Sequence, residues 1–300
     1  MRWTIRNTSL NAIGFSFFII LCSQVQTDMK LLLSLFLSFT TLLQSSAYAQ
    51  QNVQQMESIT IGNRKQGSAE TLEGSTYVLT VFTGNQWEET DVAFFNNIRN
   101  EALEWLSKEA LRYGKELTFT NGSFGISDPV EFDIESGTGS GKESVDIIWK
   151  VMKEIGYSSP LVFEEWAKEK TGCKNCIVLV VANKTGRSYS IGYNELYNKE
   201  KFFLEGAVFF TKYQDGRHIC AASIAHEICH LFGAEDLYET FRQTKENELI
   251  AREKYPNDIM LRTSFTIEEL TIDEMTAWFI GLSDKEESWY RDFIDSQKEK

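Results

Sequence analysis

The chain has 300 residues, and its 30 Lys and Arg residues against 43 Asp and Glu residues give a formal net charge of −13. This acidity argues against a nucleic acid as the partner, because phosphate binding requires clustered Lys and Arg side chains. The length is sufficient for one sizeable domain with its own hydrophobic core.

The N-terminal region has the pattern of a secretory leader. Residues 29–49 contain one lysine, an apolar run from Leu31 to Leu43 and an A-x-A site that ends at Ala49, which together predict a signal peptide. The apolar run is shorter than the ~20 residues that span a bilayer, so we expect no stable membrane anchor. Residues 1–28 are interpreted as an upstream extension that need not belong to the product. The protein is therefore expected to be secreted or periplasmic after cleavage near Ala49.

Alternating strand and helix patterns follow a polar N-terminal arm, which is predicted for residues 50–75. Residues 76–84 have the β-branched and aromatic composition of a strand, and a helix capped by Thr90 or Asp91 follows with apolar residues at helical spacing. Further strands are predicted at 115–122, 176–183 and 206–213, and helices at 144–156 and 160–171. This order predicts a mostly parallel sheet with helices packed on it, in one domain formed by residues 76–300.

Two histidines four residues apart mark the candidate site. They lie in the segment "HICAASIAHEICHLFG", which is apolar on nearly every side and is therefore expected to be a buried helix. On a helix His226 and His230 point the same way, one turn apart, so both imidazoles can reach one metal ion. Glu227 lies to one side of this axis, which suits a general base that takes a proton from water activated by zinc.

A third ligand is expected just beyond this helix. Gly233 stands where the helix should end, because glycine adopts the left-handed conformation that turns the chain sharply. That turn would bring the following residues back towards the metal, and Asp236 is among them. We therefore expect a carboxylate as the third ligand.

These residues resemble a known family. The pattern His226-Glu227-x-x-His230-x-x-Gly233-x-x-Asp236 is similar to the extended zinc motif of the metzincin metallopeptidases, in the snapalysin-like variant that has Asp as the third ligand. Thirty residues beyond His230, the stretch "YPNDIM" resembles the Met-turn of that clan.

The resemblance implies a fold, a cofactor and an activity. The fold would be α+β and metzincin-like, with a twisted, mostly parallel mixed sheet, an active-site helix and a smaller C-terminal helical lobe, divided at about residue 233. One catalytic Zn2+ would be held by His226, His230 and Asp236, with Met260 of the Met-turn beneath it and Glu227 as the base. Arg262 stands where some metzincins have a tyrosine, so no tyrosine is assigned to oxyanion stabilisation.

Several other residues compete for the third ligand position. Glu235 is adjacent to Asp236, and the direction of the turn decides between them. A later segment, residues 266–282, is expected to be one helix, and its Glu274 would be the ligand in a thermolysin-like site. His218 would lie more than two turns from His226 on a continuous helix, and Cys229 has apolar neighbours, so neither is expected to bind metal.

The function expected from these residues is that of an exported zinc-dependent endopeptidase, whose partner is a peptide or protein substrate. A secreted binding protein with the same fold but no turnover is the first alternative, and intact Glu227 favours the enzyme. A thiol-redox protein using Cys173 and Cys176 is a weaker alternative, because this CxxC pair precedes a predicted strand instead of opening a helix.

Overall fold

The computed structural model describes residues 59–61, 64–84, 87–127, 130, 134, 142–193, 203–240 and 242–295. All of these fall in one unit, residues 57–300. The predicted upstream extension, the signal peptide and the first part of the polar arm lie outside the described residues. No helix in the described part of the chain is long and apolar enough to cross a membrane.

The described elements include a β-hairpin, a five-stranded sheet and helices both between and after its strands. The strands are β1 (Ile59–Ile61), β2 (Arg64–Gln66), β3 (Gly74–Thr83), β4 (Leu117–Phe124), β5 (Asn175–Thr185), β6 (Tyr189–Ile191) and β7 (Gly206–Lys212). The helices are α1 (Glu89–Arg112), α2 (Lys142–Glu154), α3 (Pro160–Thr171), α4 (Ala221–Leu231), α5 (Lys245–Lys254), α6 (Glu274–Phe279) and α7 (Asp292–Asp295), with single 3-10 turns at Ile267–Glu269 and Ser288–Arg291.

The main sheet has the strand order β4-β3-β5-β7-β6. The pairs β3–β4, β3–β5 and β5–β7 are parallel, whereas β6 runs antiparallel to β7. The α+β class and the mostly parallel mixed sheet expected from the sequence are therefore confirmed. Helix α4 is the next helix after β7, to which residues 213–220 connect it.

Helices cover both faces of this sheet. On one face Phe95 of α1 lies against Phe82 of β3 and Phe209 of β7, with ring centroids 6.0 and 5.9 Å apart. On the other face Phe163 of α3 lies 6.2 Å from Tyr77 of β3. Because α4 packs against α1, the predicted metal-binding helix lies within the main hydrophobic core.

The prediction of a polar arm at residues 50–75 does not hold for its second half. Ser68, Ala69 and Leu72 are buried, and the carboxylate of Glu205 accepts hydrogen bonds from the backbone N–H groups of Gly67, Ser68 and Ala69. Because these backbone groups are paired, their burial avoids the free-energy cost of unpaired polar groups. This part of the predicted arm is therefore packed into the domain.

The single helix predicted for residues 266–282 is also wrong. The chain forms a 3-10 turn, then an extended stretch through Ile272, and then the short helix α6. The extended stretch is held by long-range bonds, from the Ile272 N–H to the carboxylate of Glu109 at 2.8 Å and from the Thr271 N–H to the Asn257 carbonyl at 2.9 Å. These tertiary bonds take the place of helical bonds that the local sequence allows.

Candidate metal centre

The candidate centre is built on helix α4. Its buried residues are small or aliphatic, and they include Ala221, Ala222 and Ala225, whose short side chains allow close packing. His226, Glu227 and His230 are half-buried. The expected buried helix is thus present, although it starts at Ala221 after Cys220 in extended conformation and does not include His218.

The helix ends in the turn that the sequence predicts. Gly233 has φ +100°, a left-handed backbone conformation that favours glycine. The Gly233 N–H donates to the His230 carbonyl and the Ala234 N–H donates to the Cys229 carbonyl, both at 3.0 Å. The chain then returns alongside the helix, and Asp236 reaches the two histidines.

Three side-chain atoms converge at this point. The Nε2 atoms of His226 and His230 are 3.1 Å apart, and Asp236 Oδ1 lies 3.3 Å from the first and 3.2 Å from the second. Atoms bound at about 2.0–2.1 Å to one tetrahedral zinc ion lie about 3.3–3.4 Å from one another. The observed separations therefore fit three ligands of one ion.

The outer nitrogens of both rings fix the tautomers. His226 Nδ1 lies 3.0 Å from the Ile259 carbonyl oxygen, and His230 Nδ1 lies 2.8 Å from the Ala234 carbonyl oxygen. A carbonyl oxygen only accepts, so each Nδ1 carries the hydrogen and each neutral ring presents a lone pair on Nε2. Such backing of a ligating imidazole by a carbonyl is a common arrangement in metal sites.

While both rings are neutral, the three convergent atoms lack a donor. Asp236 Oδ1 is buried and receives no hydrogen bond of acceptable geometry, although both imidazoles are close. Three lone-pair-bearing atoms repel one another at these distances unless a cation or a proton lies between them. Two imidazoles and one carboxylate form a donor set that suits zinc, so the residues present fit the metal.

The pKa values of the cluster show that the place between the three atoms also suits a proton. Burial alone would lower the pKa of His226, but its contact with Asp236 and the negative charge of Glu227 raise that pKa to about 9. Burial alone would raise the pKa of Asp236, but the adjacent imidazoles of His226 and His230 hold it far below its usual range. Both shifts indicate that the site stabilises a positive charge between the three side chains.

The rival ligands lie elsewhere. Among the described residues, His226, His230 and Asp236 form the group of potential ligands close enough to hold one ion. Glu235 is buried and faces Arg242, with the charged atoms 3.8 Å apart. Glu274 is exposed at the start of α6, and His218 is exposed and lies against the ring of Phe94 at 4.7 Å. Cys229 is fully buried among apolar residues.

The predicted Met-turn residue is buried behind the cluster. Met260 is fully buried in the core that also contains α4, and its carbonyl accepts the N–H of Leu237 at 2.9 Å. The preceding carbonyl, that of Ile259, is the acceptor for His226. The segment therefore touches the site through its backbone, and the sequence contained no signal for these two bonds.

One neighbour of the centre was not assigned from the sequence. Tyr238 is half-buried, and its pKa is raised first by burial and then by the charge of Asp236 and hydrogen bonding to it, with a smaller contribution from Glu227. Its hydroxyl therefore lies beside the candidate third ligand. The spacing of two residues from Asp236 is the sequence feature that could have indicated this position.

Tyr238→Phe is expected to lower zinc affinity about tenfold, because an outer-shell partner of Asp236 is lost while the ligands remain. Competition between the protein and a chelating dye measures this affinity. Tyr255→Phe is the matched control, because the Tyr255 hydroxyl pairs with the Tyr290 hydroxyl at 2.9 Å instead of a candidate ligand. Equal zinc affinity in the Tyr238 variant and the parent would exclude this supporting role.

Comparisons with known proteins add no assignment. A scan against protein-family models found no match, and a search of curated proteins found no significant match. The geometry of the site and the motif that builds it are therefore the basis for a functional proposal.

Proposed function

We propose that this protein is an exported, zinc-dependent endopeptidase of the metzincin type. The observation that carries the proposal is the convergence of His226 Nε2, His230 Nε2 and Asp236 Oδ1 within 3.3 Å of one another, without a donor for Asp236 Oδ1. His226, His230 and Asp236 would hold the ion. When bound, zinc supplies Lewis-acid activation of a water molecule and of the peptide carbonyl group.

Glu227 is the proposed general base. It follows His226 directly on α4, it is half-buried, and its charge acts on both His226 and Tyr238. Its carboxylate takes one proton from the attacking water as the new C–O bond forms, and returns it to the leaving nitrogen as the C–N bond breaks. A site that only binds metal has no need of a base in this position.

The sheet edge beside the site supports an extended peptide as the substrate. β6 is the edge strand next to β7, and no strand of the described residues pairs with its other side. Gly192, directly after β6, lies close to α4, since a Cβ atom there would be 3.5 Å from the His230 carbonyl oxygen. An extended peptide can add to such an edge through main-chain hydrogen bonds.

The alternatives are weaker on physical grounds. A binding protein without turnover would explain the metal ligands but leaves the position of Glu227 unexplained. A thiol-redox function needs an accessible thiol of lowered pKa. Cys173 is instead buried just before β5 and Cys176 is buried within that strand, where burial raises the pKa of Cys176 well above its usual value.

Metal analysis of the purified secreted protein, together with cleavage of a mixed peptide library, tests the proposed function. We expect one zinc ion per chain and internal cleavage of peptides that stops when a chelator removes the metal and resumes when zinc is restored. A zinc-loaded protein that cleaves no peptide favours the binding-protein alternative. A protein without zinc refutes the proposal.

The localisation has its own test. Cleavage after Ala49 should leave Gln50, or a residue near it, as the N-terminus of the product. Mass spectrometry of protein recovered outside the cytoplasm measures this directly. A membrane-bound product that keeps residues 29–49 would contradict the predicted export.

A further inference from the structure

Asp258 is a buried carboxylate behind the candidate metal centre. It is fully buried, in the segment that joins α5 to the 3-10 turn at Ile267–Glu269. Its Oδ1 accepts the Met260 N–H at 2.7 Å and the Thr276 hydroxyl at 2.9 Å, and its Oδ2 accepts the Asp273 N–H at 2.8 Å. Both carboxylate oxygens are thus engaged, and they join the Met260 segment to the start of α6.

The two residues after Asp258 support the candidate ligands. The Ile259 carbonyl accepts from His226 Nδ1 at 3.0 Å. The next carbonyl, that of Met260, accepts the N–H of Leu237, the residue after Asp236, at 2.9 Å. Two successive carbonyls therefore fix the ring of one ligand and the backbone beside another.

These carbonyls can hold their positions only while their own segment is fixed. The Ile259 N–H donates to the Thr271 carbonyl at 2.9 Å, which secures one side of the segment. The Met260 N–H, by contrast, donates to the Asp258 carboxylate. Because Met260 is fully buried, losing that acceptor would leave its N–H unpaired in the core and would favour a rearranged turn.

We propose that Asp258 is a positioning residue for the metal centre. Its carboxylate fixes the segment through Met260 so that the Ile259 carbonyl holds His226 in the Nδ1–H tautomer and the Met260 carbonyl holds the chain beside Asp236. The inference rests on the proposed function, since it takes His226 and Asp236 as zinc ligands. His230 does not depend on this segment, because its Nδ1 donates to the Ala234 carbonyl.

Asp258→Asn is the informative variant. Asparagine keeps the size of the side chain but can accept at one oxygen only, so either Met260 or Asp273 loses its acceptor. Glu205→Gln is the matched control. Glu205 is also a fully buried carboxylate that accepts backbone N–H groups, and its partners are Gly67, Ser68 and Ala69 instead of residues that support the ligands.

The test combines zinc affinity with the state of the histidine rings. The chain contains three histidines, so 15N spectra of the metal-free protein, recorded at a pH where both rings are neutral, can distinguish the tautomers of His226 and His230. We expect Asp258→Asn to lower zinc affinity about 10- to 100-fold, to give His226 a mixture of tautomers and to leave the tautomer of His230 unchanged. Glu205→Gln should lower the melting temperature to a similar extent, with zinc affinity within about twofold of the parent's.

Unchanged zinc affinity and an unchanged His226 tautomer in Asp258→Asn would overturn the inference, and so would an equal loss of affinity in the Glu205 control. If Asp258→Asn does not fold, Thr276→Val removes one of the three bonds to Asp258 and decides the question, with reduced zinc affinity in support and parental affinity against. A parent protein that binds no zinc refutes the proposed function, and the histidine spectra still decide whether Asp258 positions His226.

Discussion

Glu227→Ala is expected to abolish peptide cleavage while zinc stays bound. His226, His230 and Asp236 are untouched by this change, and their outer bonds to Ile259 and Ala234 do not involve the Glu227 side chain. General base catalysis contributes about 10²- to 10⁴-fold to the rate, so kcat should fall by at least that factor. Zinc content and initial cleavage rates are measured on the same preparation.

An exposed glutamate on α5, Glu253, provides the control. Glu253→Ala makes the same type of substitution away from the centre, so this variant should retain parental activity. A Glu227→Ala variant that keeps a tenth of the parental rate or more would rule out Glu227 as the general base, because a minor group costs only about that much. Loss of zinc in the Glu227→Ala variant would mean that Glu227 supports the zinc ligands instead of transferring a proton.

The parts of the site that could be predicted from the sequence depend on local geometry. His226 and His230 share a helix face because of the helical repeat, and Gly233 turns the chain back because glycine adopts positive φ. Asp236 lies within reach of both rings for that reason. Each of these relations spans ten residues or fewer, so sequence spacing alone determines it.

The support of the site could not be predicted in the same way. Asp258 stands in the stretch "YPNDIM", yet its role depends on partners such as Thr276 and Asp273, whose positions follow from the tertiary fold. The stretch from 266 to 282 has the composition of a helix. It is broken because Glu109 of α1, more than 150 residues away in sequence, accepts the Ile272 N–H.

The burial of residues 67–69, nearer the N-terminus, could not be predicted from the sequence for the same reason. Its small and polar residues gave no signal of burial, because the acceptor that allows their burial is Glu205, far along the chain. Burial raises the pKa of Glu205 to about 7 even though Ser68 and the backbone N–H groups lower it. A buried carboxylate of this kind becomes visible only once the strands are paired.

Asp236→Ala is expected to remove zinc and activity together. The variant keeps two imidazoles but loses the carboxylate oxygen that lies 3.3 and 3.2 Å from their Nε2 atoms. Loss of an outer-shell partner costs about 10- to 100-fold in metal affinity, and loss of a direct ligand should exceed that. Chelator competition and zinc content measure the affinity, and peptide cleavage should fall to background.

Asp236→His tests whether position 236 must supply a negative charge or only a zinc ligand. Imidazole is an equally suitable zinc ligand, so this variant should retain zinc where Asp236→Ala does not. Glu235→Ala and Glu274→Ala are the controls, since Glu235 faces Arg242 and Glu274 is exposed on α6, and both should bind zinc as the parent does. If Glu274→Ala loses zinc while Asp236→Ala keeps it, the third ligand lies on the later helix. The site would then be of the thermolysin type, and the proposed metzincin assignment of His226, His230 and Asp236 would fail.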